Sequence, residues 1–393
     1  MVSSEYYVAD NSNMEEKKLE AAKNHYKTGN YPAALKLYLS LLNTSLSYKL
    51  YYRIGKCYFK MGEFSQAEEY FKKSVDLESV VNPSYIFLGN IYYKKEDLKN
   101  AIYYWANAFA YKPEDENISL NLATSYFSKG MKFQSVFYYD KYLKYANNKS
   151  DSYLTIKTSI DKCSQTGNEF LQKAKYAISR KDNIAALESL NFAFKNLPVS
   201  FDINYLLGSI YLAENDNMHA LIYLKQAYSV DSKSSDVLRK LASTYINIGD
   251  YTSAYCTMKR LLPLVIHNQS EYLNTMKLIK ELDSSFDSKS SEGHKEWADK
   301  YFEDNNYHLA LFEYENYIML NEEAKEEYED KINRLKSFIS PEAGIIKTSL
   351  EKGSAFYNKG DFKSSNKFFS KVMILSDRNS SEYKLAKSKV VNV

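Results

Sequence analysis

The chain has 393 residues, too many for one ordinary core, so length alone calls for several domains or a repeat array. Hydrophobic residues make up 45% and charged residues 26%, while 12 Gly and 6 Pro are few breakers, which favours long helices joined by short turns. A formal net charge of +3 gives no electrostatic footprint for nucleic acid or a charged membrane surface.

The longest apolar run, Leu261 to Ile266, is interrupted by Pro263 and is too short for a membrane span. Met1 to Met14 has no apolar core of the kind a secretory signal needs, so 1–14 is read as a flexible N-terminal segment. Cys57, Cys163 and Cys256 are odd in number and scattered; they read as small apolar residues, not as a disulfide framework. Reduced thiols favour a cytoplasmic location. A bacterial periplasmic or envelope-associated location stays open if the chain is part of a longer one. The 38 tyrosines need places for half-apolar rings: helix contacts, grooves or partners.

Along the chain a pattern recurs. Tyr51 to Phe71 and Tyr85 to Ala108 both show a large residue followed by Leu/Ile-Gly, an aromatic three on, a turn, then Ala and an aromatic four beyond it. Units fit from Glu15, Tyr48, Asn82, Glu116, Gly167, Phe201, Ser235, Ser291 and Ile346. Each reads as two antiparallel helices. A small slot on the first helix holds Ala22, Gly55, Gly89, Ala123, Ala174, Gly208, Ala242, Ala298 and Gly353. A second slot, on the other helix, holds Ala34, Ala67, Ala101, Ser135, Ala186, Ala220, Ala254, Ala310 and Ser365. Gly in a helix costs about 1 kcal/mol against Ala, so its recurrence in one register implies close helix approach. Tyr58, Tyr92, Tyr126, Tyr211, Tyr245, Tyr301 and Phe356 are expected to fill the space between successive units. Gly29, Gly62, Gly130, Gly249 and Gly360 fall where a first helix must stop.

This register resembles the tetratricopeptide repeat, most closely at Tyr85, Leu88, Gly89, Tyr92, Ala101, Trp105, Ala108 and Pro113. The resemblance implies an all-α, right-handed helical solenoid, a superhelix of about nine helix pairs. The unit spacing exceeds one repeat three times, which predicts extra capping-type helices at Ser152–Cys163, Glu271–Leu282 and Ala324–Phe338, with a fourth at Ser381–Val391. The expected blocks are 15–165 (four repeats plus a helix), 167–285 (three plus a helix), 291–339 (one plus a helix) and 346–393 (the last repeat and its cap). Residues 286–290 form a linker inside the Ser-rich stretch Asp283–Gly293, the expected hinge.

No phosphate-binding loop, dinucleotide fingerprint, Cys-x-x-Cys or His-Glu-x-x-His is present, so no catalytic residue, metal site or cofactor is assigned. His294 and His308 lie near acidic residues in one unit, a weak pattern for a metal. Trp105 and Trp297 both fall on large core slots.

In the family that this register resembles, first helices line a concave groove that holds partner segments. The outward stripe here alternates cations and rings, including Tyr26, and gives a candidate partner-binding groove of Lys23, Lys27, Tyr52, Lys56, Phe59, Lys60, Asn90, Tyr93, Lys94 and Phe127. In the eighth unit the stripe is acidic: Glu292, Glu296, Asp299 and Glu303. Residues 15–149 carry 20 Lys+Arg against 14 Asp+Glu, while 291–330 carry 3 against 13. Leu19, Lys23, Lys56, Pro83 and Phe87 stand where the family's chaperone-tail clamp would sit, which argues against that ligand. The expectation is a non-enzymatic protein-interaction scaffold whose basic, aromatic groove takes an acidic peptide or helix of another protein. Nucleic acid and membrane insertion are not expected. The alternative is a structural component, self- or hetero-assembling, of a large bacterial complex such as an envelope or flagellar-motor collar, with homo-oligomers possible.

Overall fold

The structure, a computed structural model, describes residues 3–42, 46–283 and 291–391. Among them every regular element is helical and there is no strand. The elements form tandem hairpins: α1 (Ser3–Lys27) with α2 (Tyr31–Leu42), α3 (Tyr48–Met61) with α4 (Phe64–Leu77), α5 (Ser84–Lys94) with α6 (Leu98–Tyr111), and α7 (Glu116–Ser128) with α8 (Lys132–Tyr145). Then come α9 (Asp151–Ser179) with α10 (Asn183–Asn196), α11 (Phe201–Ala213) with α12 (Asn217–Val230), and α13 (Ser235–Asn247) with α14 (Tyr251–Leu261). After α15 (Gln269–Asp283) follow α16 (Ser291–Glu303) with α17 (Tyr307–Leu320), then α18 (Lys325–Ile339), then α19 (Glu342–Asn358) with α20 (Phe362–Leu375), and last α21 (Ser381–Lys389).

The turn inside each of these hairpins has one conformation. Its left-handed residue is Gly at 29, 62, 130, 249 and 360, and a non-glycine at Glu96, Lys181, Asn215 and Asn305. A left-handed residue closes the first helix and redirects the chain. In five hairpins an Asp then caps the second helix: Asp97, Asp182, Asp216, Asp250 and Asp361 each accept from a backbone N–H three residues on. The turn is thus written in chemistry even where glycine is absent.

All eighteen small-slot residues are buried. Opposite the first slot, sixteen residues later, sits a large side chain of the second helix: a Cβ built on Gly55 would meet the Phe71 ring at 2.7 Å, one on Gly208 would meet Leu224 at 2.6 Å, and one on Gly353 would meet Phe369 at 2.9 Å. Two second-slot serines bond back to the first helix: Ser135 Oγ donates to the Ala123 carbonyl at 2.9 Å, and Ser365 Oγ to that of Gly353 at 3.0 Å.

The tyrosines find a second periodic use. Rings twelve residues apart stack across five hairpins: Tyr58 on Tyr70, Tyr92 on Tyr104, Tyr126 on Tyr138, Tyr211 on Tyr223 and Phe356 on Phe368, with centroids 5.2 to 5.7 Å apart. Each of these rings thus stacks on the second helix of its own hairpin, and Tyr58, Tyr92 and Tyr211 also reach the neighbouring unit: Tyr92 Oη donates to Glu68 of the preceding hairpin at 2.7 Å, and Tyr58 and Tyr211 each pack against two successive core clusters.

Three of the four extra helices are separate elements, namely α15, α18 and α21. The one expected at Ser152–Cys163 is not, because α9 runs unbroken through 151–179, across the expected block boundary at 165–167. Gly167 does not interrupt it; its bare Cα faces Leu197, where a Cβ would lie 2.7 Å from the side chain. At the N-terminus α1 begins at Ser3, so the backbone of 3–14, read as flexible, is helical. Most of the expected hinge, 284–290, lies outside the described residues.

The chain divides into two compact units, 1–113 and 114–393. That boundary falls within the first expected block, because the fourth hairpin contacts distant parts of the second unit. Tyr126 Oη donates to the Asn305 carbonyl at 2.9 Å and Tyr138 Oη to that of Phe338 at 3.2 Å. Lys129 reaches the Asp304 carbonyl, Gln134 bonds Asn306, Lys141 pairs with Glu342, and Lys371 pairs with Glu114.

Candidate partner-binding site

In the first unit, side chains from the outward faces of α1 and α3, with one from α2, line a half-open cavity of about 320 Å³. Lys23, Tyr26 and Lys27 come from α1, Tyr38 from α2, and Tyr52, Arg53 and Lys56 from α3. Helical spacing of three and four residues puts each set on one face, and Ser47 starts α3 by accepting the Leu50 N–H. Four cations and three phenol rings converge there.

The Lys56 ammonium lies 4.5 Å from the centroid of the Tyr26 ring and 5.5 Å from that of Tyr52, so its charge rests on aromatic faces. Burial lowers its pKa, and the neighbouring Lys60 and Arg53 push the same way. Burial also raises the phenols, Tyr26 up to about 12, with Tyr52 shifted in the same direction. Lys23 is neutralised in part by Glu20 at 2.9 Å. Lys27, Arg53 and Lys56 have no carboxylate within ion-pair distance among the described residues. The cavity therefore presents unsatisfied positive charge beside apolar ring surface. Cys57, behind it, is buried, with burial pushing its thiol up to about 11, away from thiolate chemistry.

Of the residues expected in the groove, Lys23, Lys27, Tyr52 and Lys56 come together on this cavity. Lys60 is exposed one turn beyond. Phe59 is instead part of a ring cluster with Phe64 and Phe87. Asn90 accepts the indole N–H of Trp105 at 3.1 Å, and its oxygen is thereby engaged inside its own hairpin. Tyr93 is half exposed beside Trp105, and Lys94 covers the Phe64 ring. Phe127 is exposed but belongs to the second unit. Arg53 and Tyr38 were missed. Arg53 lies one turn before Lys56 and was recoverable from that spacing; Tyr38 sits on a second helix, outside a search confined to first helices.

In the second unit the acidic stripe is partly engaged. Asp299 accepts from Tyr314 Oη and pairs with Lys331 at 2.9 Å; burial opposes its charge, but these two partners hold its carboxyl low. Glu292, Glu296 and Glu303 are exposed. Trp297, expected in the core, is half exposed and stacks on Tyr301, with Lys300 over its ring. The two histidines go to different partners. His294 Nδ1 contacts Glu313 at 2.7 Å, whereas the His308 ring sits edge-on between Phe133 and Phe137. No trio of potential metal ligands gathers among the described residues.

No helix of the described residues is long and apolar enough to cross a membrane. Tetratricopeptide-repeat models match residues 48–79 and 201–234, the second and sixth hairpins. The chain is 22% identical over 258 residues to BBSome complex member BBS4 of Bos taurus, covering 60% of the chain and 49% of that protein. It is 27% identical over 253 residues to the TPR repeat-containing protein MJ1428 of Methanocaldococcus jannaschii, covering 61% and 41%. It thus spans about half or less of these relatives' lengths. Among solved structures, the P58(IPK) TPR domain covers 95% of the chain and 97% of its own at 16% identity and a TM-score of 0.30. Yeast Tom70 covers 96% of both at 15% identity and 0.25. With hairpins whose buried small residues recur in the repeat register, and with family models matching two of them, this chain carries tetratricopeptide repeats.

Proposed function

We propose that this chain is a non-enzymatic protein-interaction scaffold that holds an acidic segment of a partner protein over the Tyr26, Tyr52 and Lys56 cavity of its first unit. The observation that carries the reading is the convergence of Lys27, Arg53 and Lys56 on one ring-lined cavity without a carboxylate among the described residues. The Lys56 ammonium, already partly buried, gains from an anionic partner without a large further desolvation cost, and the rings supply apolar contact. The relative named as a member of the BBSome complex supports work inside a multiprotein assembly.

The test is fluorescence anisotropy with a labelled Glu-rich peptide on the full chain. Binding should weaken with salt, and Lys56→Glu with Arg53→Glu should lower affinity at least about tenfold, roughly 1.4 kcal/mol. Affinity retained in that variant, with its helical melting unchanged, refutes the site.

A structural, assembling role is the second reading, favoured by the contrast between the basic stretch 15–149 and the acidic stretch 291–330. Light scattering at low and high salt separates a salt-sensitive oligomer from a monomer.

A further inference from the structure

The second unit shows what a basic, aromatic face of this chain binds, because one of its own helices is seated on such a face. Helix α17 carries Phe312-Glu313-Tyr314-Glu315. The Arg260 guanidinium of α14 lies 4.5 Å from the centroid of the Phe312 ring, and the Lys225 ammonium of α12 lies 5.3 Å from it. Tyr228 meets the same ring edge-on at 5.3 Å. The same two cations take the flanking acids: Lys225 Nζ is 2.7 Å from Glu313, and Arg260 is 3.5 Å from Glu315. One ring and two carboxylates thus meet both cations, and Arg260 donates in addition to the Phe312 carbonyl and to Asn316 Oδ1 of the same helix.

The first unit displays the same set of groups. Lys56 sits over Tyr26 and Tyr52, and Lys27 and Arg53 stand on the wall of a cavity of about 320 Å³. A purely acidic tail would meet the cations and leave that space unfilled. A purely apolar segment would fill it and bury cations without counter-charge, which is strongly unfavourable. A ring beside carboxylates meets both demands.

Resting on the scaffold reading, we propose that the first-unit cavity takes a partner segment in which an aromatic residue is followed by acidic residues one and three positions on, the pattern that Phe312, Glu313 and Glu315 present to Arg260 and Lys225. The ring enters the cavity between Tyr26 and Tyr52, and the carboxylates pair with Lys27, Arg53 and Lys56.

The experiment uses the full chain and three labelled peptides of equal length: one with a Phe-Glu-x-Glu centre, one with that Phe replaced by Ser, and one with both Glu replaced by Gln. The first should bind at least about tenfold tighter than either of the others, a difference that a good anchor supplies. Lys56→Gln with Arg53→Gln, a pair that removes charge without inserting any, should erase the preference while circular dichroism shows an unchanged melt; Lys27→Gln is the second variant should that pair unfold. Equal binding of the Phe and Ser peptides overturns the aromatic requirement and leaves the acidic-segment reading standing. No binding of any acidic peptide to the wild-type chain overturns both. A preference that survives in the folded variants overturns the assignment to this cavity.

Discussion

Gly89 lies against the Trp105 indole so closely that a Cβ built on it would sit 2.4 Å from Cδ1 and 2.5 Å from Nε1. The indole is buried and its N–H is tied to Asn90, so it has little room to yield. Gly89→Leu should destabilise the first unit by about 3 kcal/mol or more through overpacking. Gly89→Ala should lose less, and Trp105→Leu in the same chain should restore part of that loss. Urea melts of the single and double variants check this; an unchanged midpoint for Gly89→Leu would mean that the slot is not tightly filled.

The non-glycine turn residues offer a gain. Glu96 and Lys181 hold φ of 61° and 58°, where a Cβ is strained. Glu96→Gly and Lys181→Gly should each raise stability by about 0.5 kcal/mol, relief of strain being partly offset by a more flexible unfolded chain. Thermal melts that fall for both would contradict the account of the turn.

Glu313 and Lys225 form a buried pair with His294. Burial opposes the Glu313 charge, but Lys225 and His294 outweigh it and hold the carboxyl at about 2. Glu313→Ala would leave the Lys225 ammonium buried and unpaired, and should destabilise the second unit by about 3–5 kcal/mol. Glu313→Leu with Lys225→Met removes both charges and should recover most of that loss. Denaturant midpoints for the single and double variants decide it.

Acid should weaken the second unit in two steps of the same sign. Burial between phenylalanines pushes His308 down to about 4. Between the ordinary histidine value and 4 the unfolded chain binds the proton and the folded chain does not, so stability falls as pH falls through that window. Glu313, held at about 2, adds a loss between the ordinary carboxyl range and 2. His308→Phe should remove the upper step, worth about 1–3 kcal/mol, and leave the lower one. Melting temperature against pH for both chains is the measurement; identical profiles would refute the assignment.

Much of the fold was legible because it rests on side chains that sequence displays directly. Gly55, Gly89, Gly208 and Gly353 mark the close approach, and Tyr58 or Tyr92 mark the stacked faces. What escaped notice depends on backbone or on distant contacts. Lys181 and Glu96 look like ordinary surface residues, and only their φ values show them as turn pivots. Nothing in Tyr126 or Tyr138 announces Asn305 or Phe338 as partners, because those contacts span nearly half the chain. The cavity was half legible: Lys23, Lys27, Tyr52 and Lys56 follow from helical spacing, whereas Tyr38 enters from the opposite helix.

Tandem hairpins that touch only adjacent members can fray one at a time from an end, and they can begin to fold while the remainder is still being synthesised. Residues 114–393 lack that freedom. The hydroxyls of Tyr126 and Tyr138 wait for carbonyls at 305 and 338, so the fourth hairpin acquires its last partners only after almost the entire polypeptide has emerged. Deleting the stretch from 291 onward would therefore loosen helices near 116–145, far away in sequence, and unfolding of this unit should be all-or-none where a simple ribbon would melt in stages.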